Sequence, residues 1–330
     1  MAKVGILGGG GWAIGLAILL HDNGSEVTMW SKIESEVELL RTERKNERCL
    51  PGIMLPEDVS VTGDLAEVTA DKDILILAVA SRFMRQTAAS LRPYVKPGQI
   101  LVDVAKGLES DTLLTMTQVI ESELPDCRAA ILSGPSHAEE VARRLPTTCV
   151  AGAADLETAK YIAGVFSSNV FRVYTSTDRI GIEIGGSVKN VIALAAGIAD
   201  GLGYGDNTKA ALITRGVAEM TRLGLAMGGQ SATFAGLSGI GDLIVTCASM
   251  HSRNRRAGIL IGQGKTADEA MKEVNMVVEG VYSAQAALEL AEKYQVEMPI
   301  VEQVNRVLFE SKNPKEAVYE LMMRDTKQEA

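Results

Sequence analysis

Three short stretches hold residues able to act on a substrate. In "GGSVKNVIALAAGIADG", Lys189 and Asn190 interrupt a run that is otherwise apolar or small on every face. A helix of that kind is buried, and a buried ammonium is costly unless it is paired or functional. A lysine with other cations nearby can have its pKa drawn toward neutrality, which suits a general acid or base. A snorkelling lysine or a structural ion pair is the alternative. "LSGIGDLIVTCASMHSRNRRAG" sets Asp242 and Thr246 four residues apart, on one helix face, with Asp242 able to orient an ammonium. It then places Ser252, Arg253 and Asn254 at a predicted helix start, where a guanidinium and unsatisfied N–H groups together suit a phosphate. Taken alone, Arg253, Arg255 and Arg256 fit a solvated basic face equally well.

Two further candidates lie just beyond strand-like runs: Lys106 in "DVAKGLE", and Gly134 with Ser136 in "LSGPSHAEE". Doubly wound sheets keep their ligands at the carboxyl ends of the strands. His137 is a candidate base, although a histidine at a helix start more often caps or packs. His21 and His251 gain no role from their surroundings.

The stretch "VGILGGGGWAIGLAILL" has two readings. Met1-Ala2-Lys3 followed by 17 uncharged residues resembles a secretory leader. Its glycines disfavour the helix a leader needs, and no cleavage pattern follows before His21-Asp22-Asn23-Gly24. The reading preferred here is a strand, Lys3 to Leu7, running into a phosphate-binding turn. Gly8, Gly10 and Ala13 fit the GxGxxG/A fingerprint. Ala13, Leu16, Ala17 and Leu20 recur with helical spacing, so Ala13 falls on the buried stripe, where the fingerprint needs a small residue. The glycines before Trp12 then present backbone N–H groups at a helix N-terminus, and a second strand follows at Glu26 to Trp30. In an NAD-preferring site an acid ends that second strand. Here "WSK" offers none before Glu34, so NADPH is expected to serve at least as well as NADH, with Lys32 facing its 2′-phosphate.

A chain of 330 residues suggests two domains, each able to bury its own core. With 46% hydrophobic and 23% charged residues it reads as globular. Aromatics at 4% and a net charge of −9 argue against nucleic-acid and anionic-membrane binding. Cys49, Cys127, Cys149 and Cys247 lie far apart with no CxxC pair, which suggests reduced thiols in the cytoplasm and no metal site. Apolar runs such as 191–199 fall short of the ~20 residues of a membrane span. Strand-like runs at 59–62, 74–80, 99–104, 129–134 and 147–152 alternate with helical patterns, as a doubly wound parallel sheet requires, and this rhythm stops near 171–175. Helices then dominate, among them 206–227, 282–294 and 314–324. The expected organisation is an α/β Rossmann-like dinucleotide domain over 1–177 and an all-α substrate and catalytic domain over 178–330, able to close a cleft over the strand ends.

Taken in order, "GGGGWA", "VAKGLE", "SGPSHAEE", "GGSVKNVIALAAG", "GLSGIGDLIVTC", "SRNRR", "VVEG" and "EMPI" resemble the NAD(P)-dependent glycerol-3-phosphate dehydrogenases of the bacterial type, from about Val4 to beyond Pro299. The resemblance implies hydride exchange between NADP(H) or NAD(H) and the pair dihydroxyacetone phosphate and sn-glycerol 3-phosphate, a precursor of glycerophospholipids. It implies Lys189 as proton acceptor and donor, with Lys106 and Asp242 beside it. Gly134, Ser136, Ser252, Arg253 and Asn254 are the other implied substrate contacts. Gly11, Trp12, Lys32, Lys106, Ala138, Arg253, Val277 and Glu279 are implied on the cofactor, together with Gly8 and Gly10 of the fingerprint. One departure is Ala13, where many members carry a third glycine. Oligomeric state stays open, a homodimer included. Two other readings compete. One is a 3-hydroxyacid dehydrogenase, which also joins a nucleotide domain to a helical domain with a Lys-Asn pair. The other is a cofactor-sensing protein, which would need no buried Lys189. On the catalytic reading, Lys189→Met leaves folding and NADPH binding intact while turnover collapses.

Overall fold

The computed structural model describes residues 1–326 and Gln328. Two compact units divide inside one helix, between Glu183 and Ile184. In the first, strands and helices alternate: β1 (Lys3–Leu7), α1 (Gly11–Asp22), β2 (Glu26–Trp30), α2 (Glu34–Thr42), β3 (Ser60–Thr62), α3 (Leu65–Thr69), β4 (Ile74–Leu77), α4 (Met84–Ser90), β5 (Ile100–Asp103), α5 (Met116–Glu123), β6 (Arg128–Ser133), α6 (Ala138–Ala142), β7 (Thr147–Ala153), α7 (Leu156–Phe166) and β8 (Phe171–Ser176). Residues 4–20, the stretch with two readings, fall in β1, the glycine turn and α1. The dividing helix is α8 (Arg179–Gly201). After it come α9 (Asp206–Ala226), α10 (Ser231–Phe234), a π-helical turn at Leu237–Gly241, α11 (Asp242–Ala248), α12 (Arg253–Gly262), α13 (Ala267–Val274), α14 (Glu279–Lys293), α15 (Pro299–Phe309) and α16 (Pro314–Met322).

The eight-stranded sheet has the order β3-β2-β1-β4-β5-β6-β7-β8. The chain therefore reverses its direction of travel between β1 and β4, the switch point where such folds bind ligands. Both faces are covered, which explains the near-continuous apolar runs: Ile74 and Ile76 of β4 enter one core, Leu75 and Leu77 the other. One pairing departs from an all-parallel sheet. β7 lies antiparallel to β6, with Ala130 opposite Ala153 and Ser133 opposite Val150. The five residues of α6 advance the chain only about 7.5 Å at 1.5 Å per residue, too little to carry it back along the sheet for a parallel return.

In the second unit, α8 is buried from Ile184 through Ala199. By length and composition alone α8 and the stretch Ser231–Ala248 could cross a bilayer, but the most apolar window of α8 is 94% buried within the protein, as a core helix is.

Candidate active site

The first group of candidates gathers at the carboxyl ends of β1, β5 and β6. Gly8 follows β1 at the switch point with φ +143°, and a Cβ there would collide with the Ala78 carbonyl just past β4. Only glycine serves both demands. α1 opens at Gly11, with Gly10 as its N-cap. Among the described residues no side chain caps it and no acid stands in its first turn, so its leading N–H groups are left for a ligand or solvent. A Cβ on Gly10 would meet nothing within 4 Å, so the turn is open on that side. This turn fits a dinucleotide pyrophosphate on its own geometry. Gly11 serves a different end, since a Cβ there would press at 2.7 Å on the Cys49 carbonyl. Trp12 is half-buried, Ala13 fully buried and Lys32 exposed.

Past β5, Asp103 Oδ1 accepts the Ala105 N–H at 2.8 Å and bends the chain toward Lys106. Lys106 Nζ donates to the Gly134 carbonyl at 2.8 Å, and Ser136 Oγ donates to the same oxygen at 3.0 Å. Gly134 is a second left-handed position, φ +146°, where a Cβ would stand 3.0 Å from Cys149 Cα. An ammonium and a hydroxyl are thereby fixed on one carbonyl. His137 occupies the N-cap position of α6 without a side-chain cap bond, and Ala138 faces Gly15 of α1.

The second group is built on α8. Lys189 is 4% exposed, and its Nζ donates to Asp242 Oδ1 at 2.6 Å and to Thr246 Oγ1 at 2.7 Å. Thr246 Oγ1 in turn donates to the Asp242 carbonyl at 2.6 Å. A buried ammonium with a carboxylate and a hydroxyl in contact is electrostatically compensated and fixed in place. The approach depends on Gly185, one turn before Lys189: a Cβ there would lie 2.6 Å from the Ser238 carbonyl of the π-helical turn that leads into α11. Spacing predicted that Asp242 and Thr246 share a face; that the face meets Lys189 is a finding of the structure.

Asn190, the next residue, is braced from α12. Its Oδ1 accepts from Asn254 Nδ2 at 2.8 Å, and Asn254 Oδ1 accepts the Gly280 N–H of α14 at 2.9 Å. Ser252 caps α12 through Arg255 N at 3.2 Å. Arg253, at the first position of α12, is half-buried and makes no hydrogen bond or ion pair to the described residues. The basic cluster is not a solvated face, because Arg255 is clamped by Asp200 and by the Ala248 carbonyl, both at 2.8 Å. Helices α8 and α12 meet backbone to backbone: a Cβ on Gly258 would lie 2.9 Å from Gly197 Cα, and one on Gly262 would lie 3.0 Å from Gly201 Cα. Val277 and Glu279, half-buried, stand on either side of Val278, the N-cap of α14.

Sequence reasoning missed Asp200, which also holds Lys209 at 2.8 Å, and Glu36, whose carboxylate folds back onto Ser31 at 2.7 Å. For Glu36 the available signal was its place in the first turn of the helix that follows β2, a position from which a glutamate can reach backward.

Comparison with known proteins bears on the whole chain. A family model described as NAD-dependent glycerol-3-phosphate dehydrogenase N-terminus matches residues 3–159, and its C-terminus counterpart matches residues 178–319. The chain is 62% identical to glycerol-3-phosphate dehydrogenase [NAD(P)+] of Fusobacterium nucleatum, covering 100% of this chain and 99% of that one. It is 60% identical to the protein of the same name from Agathobacter rectalis, over 99% and 97% of the two chains. Among solved structures, glycerol-3-phosphate dehydrogenase from Coxiella burnetii superposes with a TM-score of 0.94 at 36% identity, over 98% of this chain and 99% of that one.

Proposed function

Because this chain belongs to the NAD-dependent glycerol-3-phosphate dehydrogenase family, whose reaction is NAD(P)-dependent oxidoreduction, we propose that Lys189 moves the proton as dihydroxyacetone phosphate and sn-glycerol 3-phosphate interconvert. The observation that carries this reading is the Lys189-Asp242-Thr246 contact. The nicotinamide, when bound, supplies or accepts the hydride.

Reduction of a ketone leaves negative charge developing on its oxygen, which calls for a cation and a transferable proton within hydrogen-bond reach. An ammonium supplies both. Asp242 keeps that charge compensated inside a buried helix, and Thr246 limits where the nitrogen can go. In the oxidative direction the same nitrogen takes the proton from the secondary alcohol. Arg253 and the N-terminus of α12 suit the substrate phosphate, with Ser252 capping the helix and Asn254 bracing it against Asn190. Lys106, with Ser136 on the Gly134 carbonyl, offers a second cation at the strand ends. The residues proposed to hold the dinucleotide are the turn Gly8 to Trp12, Lys32, Ala138, Val277 and Glu279. The same reading assigns residues 1–177 chiefly to the cofactor and residues 178–330 chiefly to substrate and catalysis, with Val277 and Glu279 reaching the cofactor from the second part. It also places the activity in the cytoplasm, at the supply of phosphorylated glycerol for phospholipids.

The test is dihydroxyacetone phosphate reduction followed by loss of nicotinamide absorbance. The wild-type chain turns over, and Lys189→Met loses about 10²–10⁴-fold in kcat, the range for a positioned acid or base. Near-normal kcat in folded Lys189→Met overturns the role of Lys189. No turnover of this substrate by the wild type with either dinucleotide overturns the reading as a whole.

A further inference from the structure

At the end of β2 stands a carboxylate that comes from the next helix. Glu36 lies in the first turn of α2, and that turn folds back over the strand end: Ser31 Oγ accepts the Ile33 N–H at 3.2 Å and donates to Glu36 Oε2 at 2.7 Å. The same carboxylate oxygen faces the glycine turn, since a Cβ on Gly9 would lie 2.8 Å from Glu36 Oε2 and 3.4 Å from Ser31 Cβ. Gly9 sits between the two fingerprint glycines. Gly8 N donates to the Trp30 carbonyl at 2.7 Å, which ties the turn to the end of β2. Turn, strand end and carboxylate therefore form one corner. Glu36 Oε1 accepts no hydrogen bond from the described residues.

In doubly wound domains the adenosine ribose of a dinucleotide lies at this corner, where an acid accepts from the 2′-hydroxyl and repels a 2′-phosphate. On the reading of the turn as an NAD(P) site, on which this inference rests, the geometry points to Glu36 as that acid, and so to selection of the dinucleotide whose 2′-hydroxyl is free. Chain order hides the residue because it arrives six positions after Trp30. A ribose hydroxyl can donate to the carboxylate, whereas a phosphate brings like charge against it. Lys32 forms no ion pair with Glu36 that would cancel this charge among the described residues. The order of preference expected from "WSK" alone is thereby reversed: NADH above NADPH.

Dissociation constants for NADH and NADPH, measured by calorimetry on the full chain, test this for the wild type, Glu36→Gln and Glu34→Gln. The wild type is expected to bind NADH at least about tenfold tighter, a difference of the size a single charged contact gives. Glu36→Gln should bring the ratio close to unity, chiefly by tightening NADPH. Glu34→Gln, an exposed acid of the same turn, should leave the ratio alone. Rising salt should narrow the wild-type ratio and leave that of Glu36→Gln unmoved. If Glu36→Gln does not fold, Ser31→Ala keeps the carboxylate but releases it, and should narrow the ratio in part. Tighter NADPH binding by the wild type, or the same ratio in wild type and Glu36→Gln, overturns the assignment of Glu36 alone. Absence of binding to both dinucleotides overturns the site reading and this inference with it.

Discussion

Lys189 and Asp242 are 4% and 1% exposed, so each is the other's principal compensation for burial. Removing one partner of such a pair strands the other charge, at a cost of about 3–5 kcal/mol. The expectation that Lys189→Met leaves folding untouched is amended accordingly. Lys189→Met should melt well below the wild type, and Lys189→Met with Asp242→Asn should recover much of the loss while turnover stays absent. Thermal melts and kcat on both variants check this; full recovery of turnover in the double variant would contradict it. Among the described residues Arg253 has no hydrogen-bond or ion-pair partner to strand, and phosphate is present in both ground and transition states. Arg253→Ala should therefore raise KM for dihydroxyacetone phosphate by about tenfold or more with a smaller effect on kcat, as loss of uniform binding does. Steady-state kinetics decide, and an unchanged KM removes Arg253 from the site. Lys189, Asp242 and Thr246 were legible because a charge in an all-apolar helix and an i, i+4 pair announce themselves. Glu36 was not, because reach across a turn leaves no periodic trace.

Among the elements, α15 shows how a buried acid can hold a helix. Glu219 of α9 accepts the N–H groups of Ile300 at 2.8 Å and Val301 at 3.2 Å, the first turn of α15. Burial pushes its carboxyl up to about 7, although both N–H groups pull the other way. With the folded value above the ordinary 4.5, the folded chain holds the extra proton, so this contribution is intact below pH 4.5 and fades as pH rises through about 7. Glu219→Gln should flatten that decline. Denaturant midpoints of both proteins across this window measure it, and parallel pH profiles would refute the buried-acid account. Strand positions up to β7 were legible from their apolar runs; β8 was not, because only Phe171 of it is buried. The antiparallel turn of β7 was not, since it follows from the shortness of α6 and not from the composition of the strand. The π-helical turn before α11 left no signature either, because its use lies in the contact of Gly185 with Ser238.

Over the whole molecule, each unit holds its own candidate groups. The glycine turn, Lys106, Gly134 and Ser136 belong to the first; Lys189, Asp242, Thr246 and Arg253 belong to the second. A dinucleotide at one hundred times its Kd stabilises the state that binds it by about 2.7 kcal/mol. Hydrogen exchange should then slow in the first turn of α1 and at 134–138, and protection that changes only in α15 and α16 would speak against the glycine turn as its site. From sequence the boundary falls at about 177, where alternating strands give way to successive helices; the two units divide inside α8, a place no sequence break marks because a continuous helix carries none. The glycine contacts between α8 and α12 have one more consequence. With no side chain between Gly197 and Gly258, or between Gly201 and Gly262, nothing there can repack. The spacing of the helix bearing Lys189 from the helix bearing Arg253 is set by main chain alone, and the Asn190-Asn254 bond pins it at the chemical end. Such a pair of helices works as a fixed gauge. On the proposed roles of Lys189 and Arg253 it would admit one span between a reacting oxygen and a phosphate, and a substrate lengthened by a single carbon would find no compliance there to take up the difference.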